Sequence, residues 1–407
     1  MAETAAYTIP DHVPSELVYD FEPEYPLEEL KSPYALLDRM RERAPDLFYL
    51  PRDWRPSRAG GTWVVQTAGL MREVFKNGEL FSSRIVVGGG TTAWPRKLVP
   101  LELDPPEHTK YRKLLASEFS PKMINGLEEP LRKLSAEIID GFAGRGSVDF
   151  MVEYARVFPI IALMELVGFP LERREQFSKW ERTMFHGETT EERQAAGVQV
   201  ASMIAELAEE KRANPGDDLL SQLVKARIDG EPIAQDKLED MGFLLFLAGL
   251  DTVTAGLGHV FRYLAEYPAE QQRLRDDPGL IPDAIEELVR FHSWINTSRV
   301  LARDHEFHGV QMREGDFVMC ATYFASHDPA TIPEPERIDF CRAPNPHLGF
   351  GAGVHRCAGS HLARRELRIA VTQMLERVPP FRLQEGAELS YDGGLVCLGS
   401  LPLVWDV

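Results

Sequence analysis

Cysteine is scarce in this chain. Four occur in 407 residues (Cys320, Cys341, Cys357 and Cys397), and no two form a CxxC pair. That excludes a disulfide framework and the usual spacing of a structural zinc site, and it fits a reducing compartment. Positive charge is also short: 45 Lys and Arg stand against 63 Asp and Glu, a formal net charge of −18. A nucleic-acid binder carries a basic stripe, and so does a protein that seeks anionic membrane surfaces, so both classes are disfavoured. A local basic patch for an acidic protein partner remains compatible with the total. Long apolar runs are missing. The longest, Met241 to Leu250, stops at Asp251 and is too short to span a bilayer. The first residues, Met-Ala-Glu-Thr-Ala-Ala-Tyr, lack the basic and apolar regions of a secretion signal. A cytoplasmic protein is therefore expected. No internal repeat or flexible linker breaks the chain. With 44% apolar and 27% charged residues, one large globular domain over 1–407 is the expected organisation.

What is present reads as mostly helical. The first fifty residues, rich in Pro, Glu and Tyr, form a lasso-like leading segment. Thr62–Gln66 alternates and is β-branched, which predicts a strand, and Leu70–Lys76 has helical spacing. Residues Ser82 to Leu103, with Gly88-Gly-Gly90 and Trp94-Pro95, predict a long irregular loop of the kind that is usually functional. Helical periodicity then dominates from about Pro106 to residue 225. Between Pro232 and Pro268 there is no proline, so a single helix of about 35 residues, roughly 50 Å long, is predicted, apolar all round in its middle. A further helix is expected from Pro282 to Phe291. Two β segments, Glu306–Met312 and Asp316–Thr322, are predicted to pair as a hairpin through Arg313-Glu-Gly.

The most informative stretch is Phe350-Gly-Ala-Gly-Val-His-Arg-Cys357-Ala-Gly359. It sets one cysteine in a glycine-rich loop just before an amphipathic, charged segment. Glycines let the backbone bend and let a flat ligand come close. A thiolate at a helix start is stabilised by free N–H groups and the helix dipole. The same loop fails the dinucleotide fingerprint G-x-G-x-x-G, because Val354 stands at the third glycine. The pattern Phe-x-x-Gly-x-His-x-Cys-x-Gly resembles the haem-binding signature of the cytochrome P-450 superfamily, the haem-thiolate monooxygenases. The likeness extends to Asp11-His-Val-Pro, Leu103-Asp-Pro-Pro-Glu, Gly249-Leu-Asp-Thr and Leu401-Pro-Leu-Val-Trp-Asp, which look like the soluble bacterial camphor 5-monooxygenase branch.

The resemblance implies a mainly α fold with small β-sheets, a triangular prism of helices. It places haem b (iron protoporphyrin IX) between the long central helix and the helix after the cysteine loop. Cys357 becomes the axial iron ligand. Asp251 and Thr252 become the acid–alcohol pair that relays protons and hydrogen-bonds dioxygen. His108, Arg112, Thr297, Arg299, Phe350, His355 and Gly359 become cofactor-binding positions. Glu287, Arg290 and Arg337 form a structural network behind the loop. Val87, Trp94, Arg96, Leu98, Leu244, Leu247, Ala248, Ile295, Leu395 and Val396 line a pocket for an apolar substrate. The partners implied are O2, a two-iron two-sulfur ferredoxin and its NADH-dependent reductase. Arg72, Lys76, Lys110, Arg112, Lys113 and Arg364 are the expected basic contacts for the ferredoxin.

Two departures move the expectation away from camphor itself. Arg96 stands where that branch presents a ketone-binding tyrosine, and Thr297 replaces an aspartate near a propionate. A related terpenoid or norisoprenoid ketone is the expected substrate. The alternatives are a hydroxylase of an aromatic or other carboxylic acid anchored by Arg96, with Arg96 otherwise pointing to solvent, and a non-catalytic haem sensor. A peroxide-driven relative is disfavoured by the intact Asp251-Thr252 pair.

Overall fold

The structure is a computed structural model. It describes residues 8–21, 34–51, 60–85, 96–187, 189–249, 251–392 and 396–407. Two apolar cores organise these residues.

The smaller core forms around a five-stranded sheet. Its strands are β1 (Leu47–Leu50), β2 (Thr62–Val65), β3 (Phe81–Ser82), β4 (Asn296–Leu301) and β5 (Phe317–Ala321), in the order β1-β2-β5-β4-β3. The predicted strand at Thr62 is thus present. Only the β2–β5 contact is parallel, with Val318 opposite Trp63. In β4–β5, Cys320 faces Thr297 and Val318 faces Arg299. Trp63, Phe48 and Phe81 are almost completely buried in this core. Burial of a side chain of this size is worth roughly 1.5–3 kcal/mol.

The predicted hairpin is displaced. His305–Phe307 pairs with Val310–Met312, and the turn is His308-Gly309, both at positive φ. Two such residues build the tight turn whose twist matches the strands. Phe317–Ala321 instead enters the sheet between β2 and β4.

The larger core is helical. Helix α1 (Ala68–Lys76) begins where the Thr67 side chain accepts the Leu70 N–H. Helix α2 (Glu107–Glu118) starts directly after Pro106. Between residues 121 and 225 the described residues are helical apart from a short strand at Ser147–Asp149 and brief turns. The predicted long helix is present as α3 (Gln235–Ala248) and α4 (Asp251–Glu266), which together read as one helix of 32 residues, Gln235–Glu266. A Cβ on Gly249 would lie 2.8 Å from Leu163, so the junction sits tight against the helix Phe158–Val167. The stretch Gln235–Glu266 has the length and mean hydropathy (1.5) to cross a bilayer, which the run Met241–Leu250 alone does not reveal. Yet 65% of that window is buried inside the protein, as in a core helix. Helices α5 (Ile281–His292) and α6 (Ser360–Arg377) pack on each other and on α4. The predicted helix from Pro282 is therefore α5.

Candidate functional site

Cys357 lies three residues before α6. Its N–H donates to the Phe350 carbonyl at 2.9 Å, and the Gly351 N–H donates to Leu348 at 2.7 Å. The loop closes against the end of α1. Gly353 adopts φ +70, and a Cβ there would meet the Phe75 carbonyl oxygen at 2.2 Å. Only glycine satisfies both conditions. Burial pushes the Cys357 thiol pKa up, opposed by the Gly359 N–H donating to its sulfur and by Arg112, Arg356 and Arg364. Of the four free cysteines, Cys320 and Cys397 are buried, and burial pushes the Cys320 thiol up to about 12. Cys357, like Cys341, is exposed as a residue, and the guanidinium groups of Arg112, Arg356 and Arg364 act on the Cys357 sulfur. The Arg364 guanidinium stacks 4.2 Å from the Phe350 ring and pairs with Glu286, which also accepts from His347.

A second group of side chains gathers near this loop. His108, on α2, is buried, and its ring lies 4.2 Å from that of His355. Neither ring nitrogen of His108 has a hydrogen-bond partner among the described residues, and the same holds for His355 Nε2. Burial, then the charges of His108, Arg299 and Arg112, pushes His355 down to about 3. Arg112, one turn after His108, donates to the Arg356 carbonyl. Alternation on β4 puts Thr297 and Arg299 on one face. The buried Arg299 donates to the Ser298 carbonyl at 2.8 Å and to Thr297 Oγ1 at 3.4 Å. Desolvation lowers the pKa of Arg299, as it does for Arg112. Two guanidinium groups and two underused imidazoles in one place call for an anionic partner.

A third group lies on α3 and α4. Met241, Gly242, Phe243, Leu245 and Phe246 are buried, whereas Leu244, Leu247, Ala248 and then Asp251 and Thr252 keep accessible surface. Thr252 Oγ1 donates to the Ala248 carbonyl at 3.0 Å. Leu98 is buried, and its N–H is held by Glu102 at 3.0 Å. Ile295 accepts the Thr322 hydroxyl on its carbonyl at 2.8 Å. Val396 sits at φ +56, and its carbonyl accepts from His259 Nε2 at 2.9 Å. Val87, Trp94 and Leu395 lie outside the described residues.

Two expectations require correction. Arg96 points neither to solvent alone nor to a vacant anchoring position. Its Nε donates to Asp240 at 2.7 Å and its Nη2 to Glu239 at 2.8 Å. Burial pulls its pKa down, but these two acids more than offset that. The second correction concerns Arg337. Its side chain is 63% exposed, with only long contacts to Glu334 and Asp339. The third member of the Glu287–Arg290 network is Arg342, whose Nε lies 3.0 and 3.1 Å from the two Glu287 oxygens. Arg290 donates to both oxygens at 2.9 and 2.8 Å, and the Asp339 N–H and Asn345 add two more bonds. Arg337 contributes only its carbonyl, to Arg290 and Arg342. The spacing of Glu287 and Arg290 is local and readable, whereas choosing between two arginines five positions apart in an irregular segment needs the chain path.

The mainly helical fold, with a cysteine in a glycine-shaped loop at the head of α6 and α6 packed on the central helix α4, defines the class: a haem-thiolate enzyme. Known proteins agree. Residues 279–390 match the family model described as Cytochrome P450. "Probable cytochrome P450 127A1" of Sinorhizobium fredii is 36% identical over 405 residues, 98% of this chain and 97% of that one. The mycinamicin IV hydroxylase/epoxidase of Micromonospora griseorubida is 32% identical over 370 residues, 86% of this chain and 91% of its own. The crystal structure of CYP101J2 superposes with a TM-score of 0.87 at 29% identity, over 99% of this chain and 100% of that one. The chain belongs to the cytochrome P450 family. It is a monooxygenase whose cofactor is haem b. The residues present fit that cofactor. The unpartnered nitrogens of His108 and His355 beside Arg112 and Arg299 suit two propionates, and the Cys357 sulfur lies just ahead of α6 in a cationic surround.

Proposed function

We propose that this enzyme hydroxylates a compact apolar small molecule, a terpenoid or norisoprenoid ketone of the ionone or camphor kind. The observation that carries the reading is the accessible stripe Leu244, Leu247 and Ala248, which runs beside the buried Met241, Gly242, Phe243, Leu245 and Phe246 toward Asp251 and Thr252. An aliphatic wall of this kind holds its ligand mainly by burial. The acid-hydroxylase alternative loses support because Asp240 and Glu239 engage the Arg96 guanidinium.

In this reading residues 1–407 form one cytochrome P450 domain working in the cytoplasm. Cys357 supplies the sulfur ligand. His108, Arg112, Thr297, Arg299 and His355 bind the propionates, and Phe350 and Gly359 shape the sulfur's surroundings. When bound, the haem supplies oxygen activation and the transfer of one oxygen atom into a carbon–hydrogen bond. The chain's own residues position the substrate and manage protons. Thr252 Oγ1, now on the Ala248 carbonyl, holds the proton position nearest the apolar stripe, and the Asp251 carboxylate one residue earlier passes protons from solvent. Leu244 and Leu247 keep water off that face. Electrons arrive from a two-iron two-sulfur ferredoxin reduced by an NADH-dependent reductase. It docks on the cysteine-loop side, through Arg72, Lys76, Arg112, Lys113 and Arg364. Lys110, paired with Asp229, and Arg364, paired with Glu286, exchange those partners for the ferredoxin's acids.

The test is a spectral titration of the ferric protein with terpenoids, ionones and aromatic acids. A low- to high-spin shift with a ketone is expected. A response to acids alone would refute the substrate class. NADH consumption against product, with a ferredoxin supplied, should become uncoupled in Thr252→Ala; unchanged coupling removes Thr252 from the proton path.

A further inference from the structure

The accessible stripe on α3 stops abruptly. Positions 240, 244, 247 and 248 share one helix face. Leu244, Leu247 and Ala248 keep accessible surface, yet Asp240, one turn further out, is 1% exposed. Its cover is Arg96, through the 2.7 Å bond to its Oδ1. Arg96 also reaches Glu239 at 2.8 Å and the Asp236 carbonyl at 3.4 Å, while its own side chain stays 37% exposed. The Lys237 ammonium lies 3.8 Å from Asp240 Oδ2. Just after Arg96 the chain is tied into a closed turn. The Leu98 N–H donates to the Glu102 carboxylate at 3.0 Å, and the Glu102 N–H donates to the Leu98 carbonyl at 2.8 Å. Leu98 and Glu102 are both buried.

A buried carboxylate at the end of an aliphatic stripe is costly unless paired, and the pair is stiff because several bonds hold it. We propose that the Arg96–Asp240 pair is a specificity-determining end wall, limiting the ligand to the length of α3 between Ala248 and Asp240. Eight residues of helix correspond to about 12 Å. The wall also rejects an anionic tail, since Asp236, Glu239 and Asp240 outnumber Arg96 and Lys237 there. The inference rests on the placement of substrate along α3 made above. It turns Arg96 from an anchor for substrate into a determinant of substrate length.

The test uses the haem-loaded protein and 1-alkylimidazoles from butyl to dodecyl, read by the shift of the main haem absorption band. In the unaltered protein affinity rises with chain length and then falls by about tenfold or more for chains longer than the stripe. The double variant Arg96→Met with Asp240→Leu removes the pair without stranding a buried charge. Its optimum should move to longer chains, with dodecylimidazole gaining about tenfold and butylimidazole within about twofold of the unaltered protein. Arg96→Lys, which retains the charge, should keep the short-chain optimum. Backbone hydrogen exchange at residues 97–103, measured without ligand, should accelerate in the double variant, an effect that does not depend on haem chemistry. A length profile that is the same with and without the pair overturns the end wall while leaving the haem site standing. Loss of the spectral response to every alkylimidazole in the unaltered protein overturns the substrate placement, and the wall with it.

Discussion

The network on Glu287 makes a quantitative prediction about two arginines. Arg342 donates to Glu287 through Nε, to the Pro333 carbonyl at 2.7 Å and to the Arg337 carbonyl at 2.7 Å. Glu287 is fully buried, so its charge depends on these donors. Arg342→Ala leaves Arg290, Asp339 and Asn345 in place and removes one charged partner. A hydrogen bond to a charged group is worth about 1.5–3 kcal/mol, and breaking a buried pair costs about 3–5 kcal/mol. With Arg290 still compensating, the lower figure, about 3 kcal/mol, applies. Unfolding entropy of about 2.1 cal/mol/K per residue over 407 residues gives roughly 0.85 kcal/mol/K, so Tm should fall by about 3.5 °C. Arg337→Ala removes only exposed contacts and should cost under about 0.5 kcal/mol, or less than about 1 °C. The assay is a scanning thermal melt of both variants at matched haem content. A larger loss in Arg337→Ala, or equal losses, would refute the assignment of Arg342 to the network.

Other outcomes follow from the same geometry. Gly353→Ala combines a left-handed φ with a backbone clash at Phe75 and should abolish stable haem retention, read as the absorbance ratio of the purified protein. Arg299→Ala and His108→Ala should each speed haem loss to an apo-protein scavenger by about tenfold or more, the equivalent of one charge-assisted bond. Acid stability should decline in two stages. Burial lowers His259 and His327 to about 4, below the ordinary 6.5, so the unfolded chain takes up protons first and stability falls as pH drops from about 6.5 to about 4. Glu286 is opposed by burial, but Arg364 and His347 bring it down to about 2, so its contribution disappears between about 4.5 and about 2. In His259→Phe the upper stage should lose one proton's worth of slope in melts taken across pH; an unchanged slope would contradict a neutral buried imidazole.

The features legible in the chain are those encoded within a few residues of one another. The glycines around Cys357 give the loop its backbone freedom, and their spacing with Phe350 and His355 carries the resemblance to the family. The i,i+3 spacing of Glu287 and Arg290 already implies contact, because one helix carries both. The absence of proline between Pro232 and Pro268 pointed to one long helix, and Gln235–Glu266 is that helix. Two alternating segments separated by a few polar residues imply a hairpin, but which pair turns depends on residues such as His308-Gly309 that tolerate positive φ.

The sequence by itself determined the mainly helical character through its periodicity and, through its resemblance to a known family, the cofactor class, because both signals are carried by residues close together along the chain. Only the tertiary structure decided that Arg342, not Arg337, reaches Glu287, that Arg96 is held by Asp240, and that Phe317–Ala321 lies between β2 and β4. Each of these contacts joins segments distant along the chain or on an irregular path. A charged side chain there goes to whichever opposite charge the fold brings within about 3 Å, because a buried charge left alone is too costly to persist.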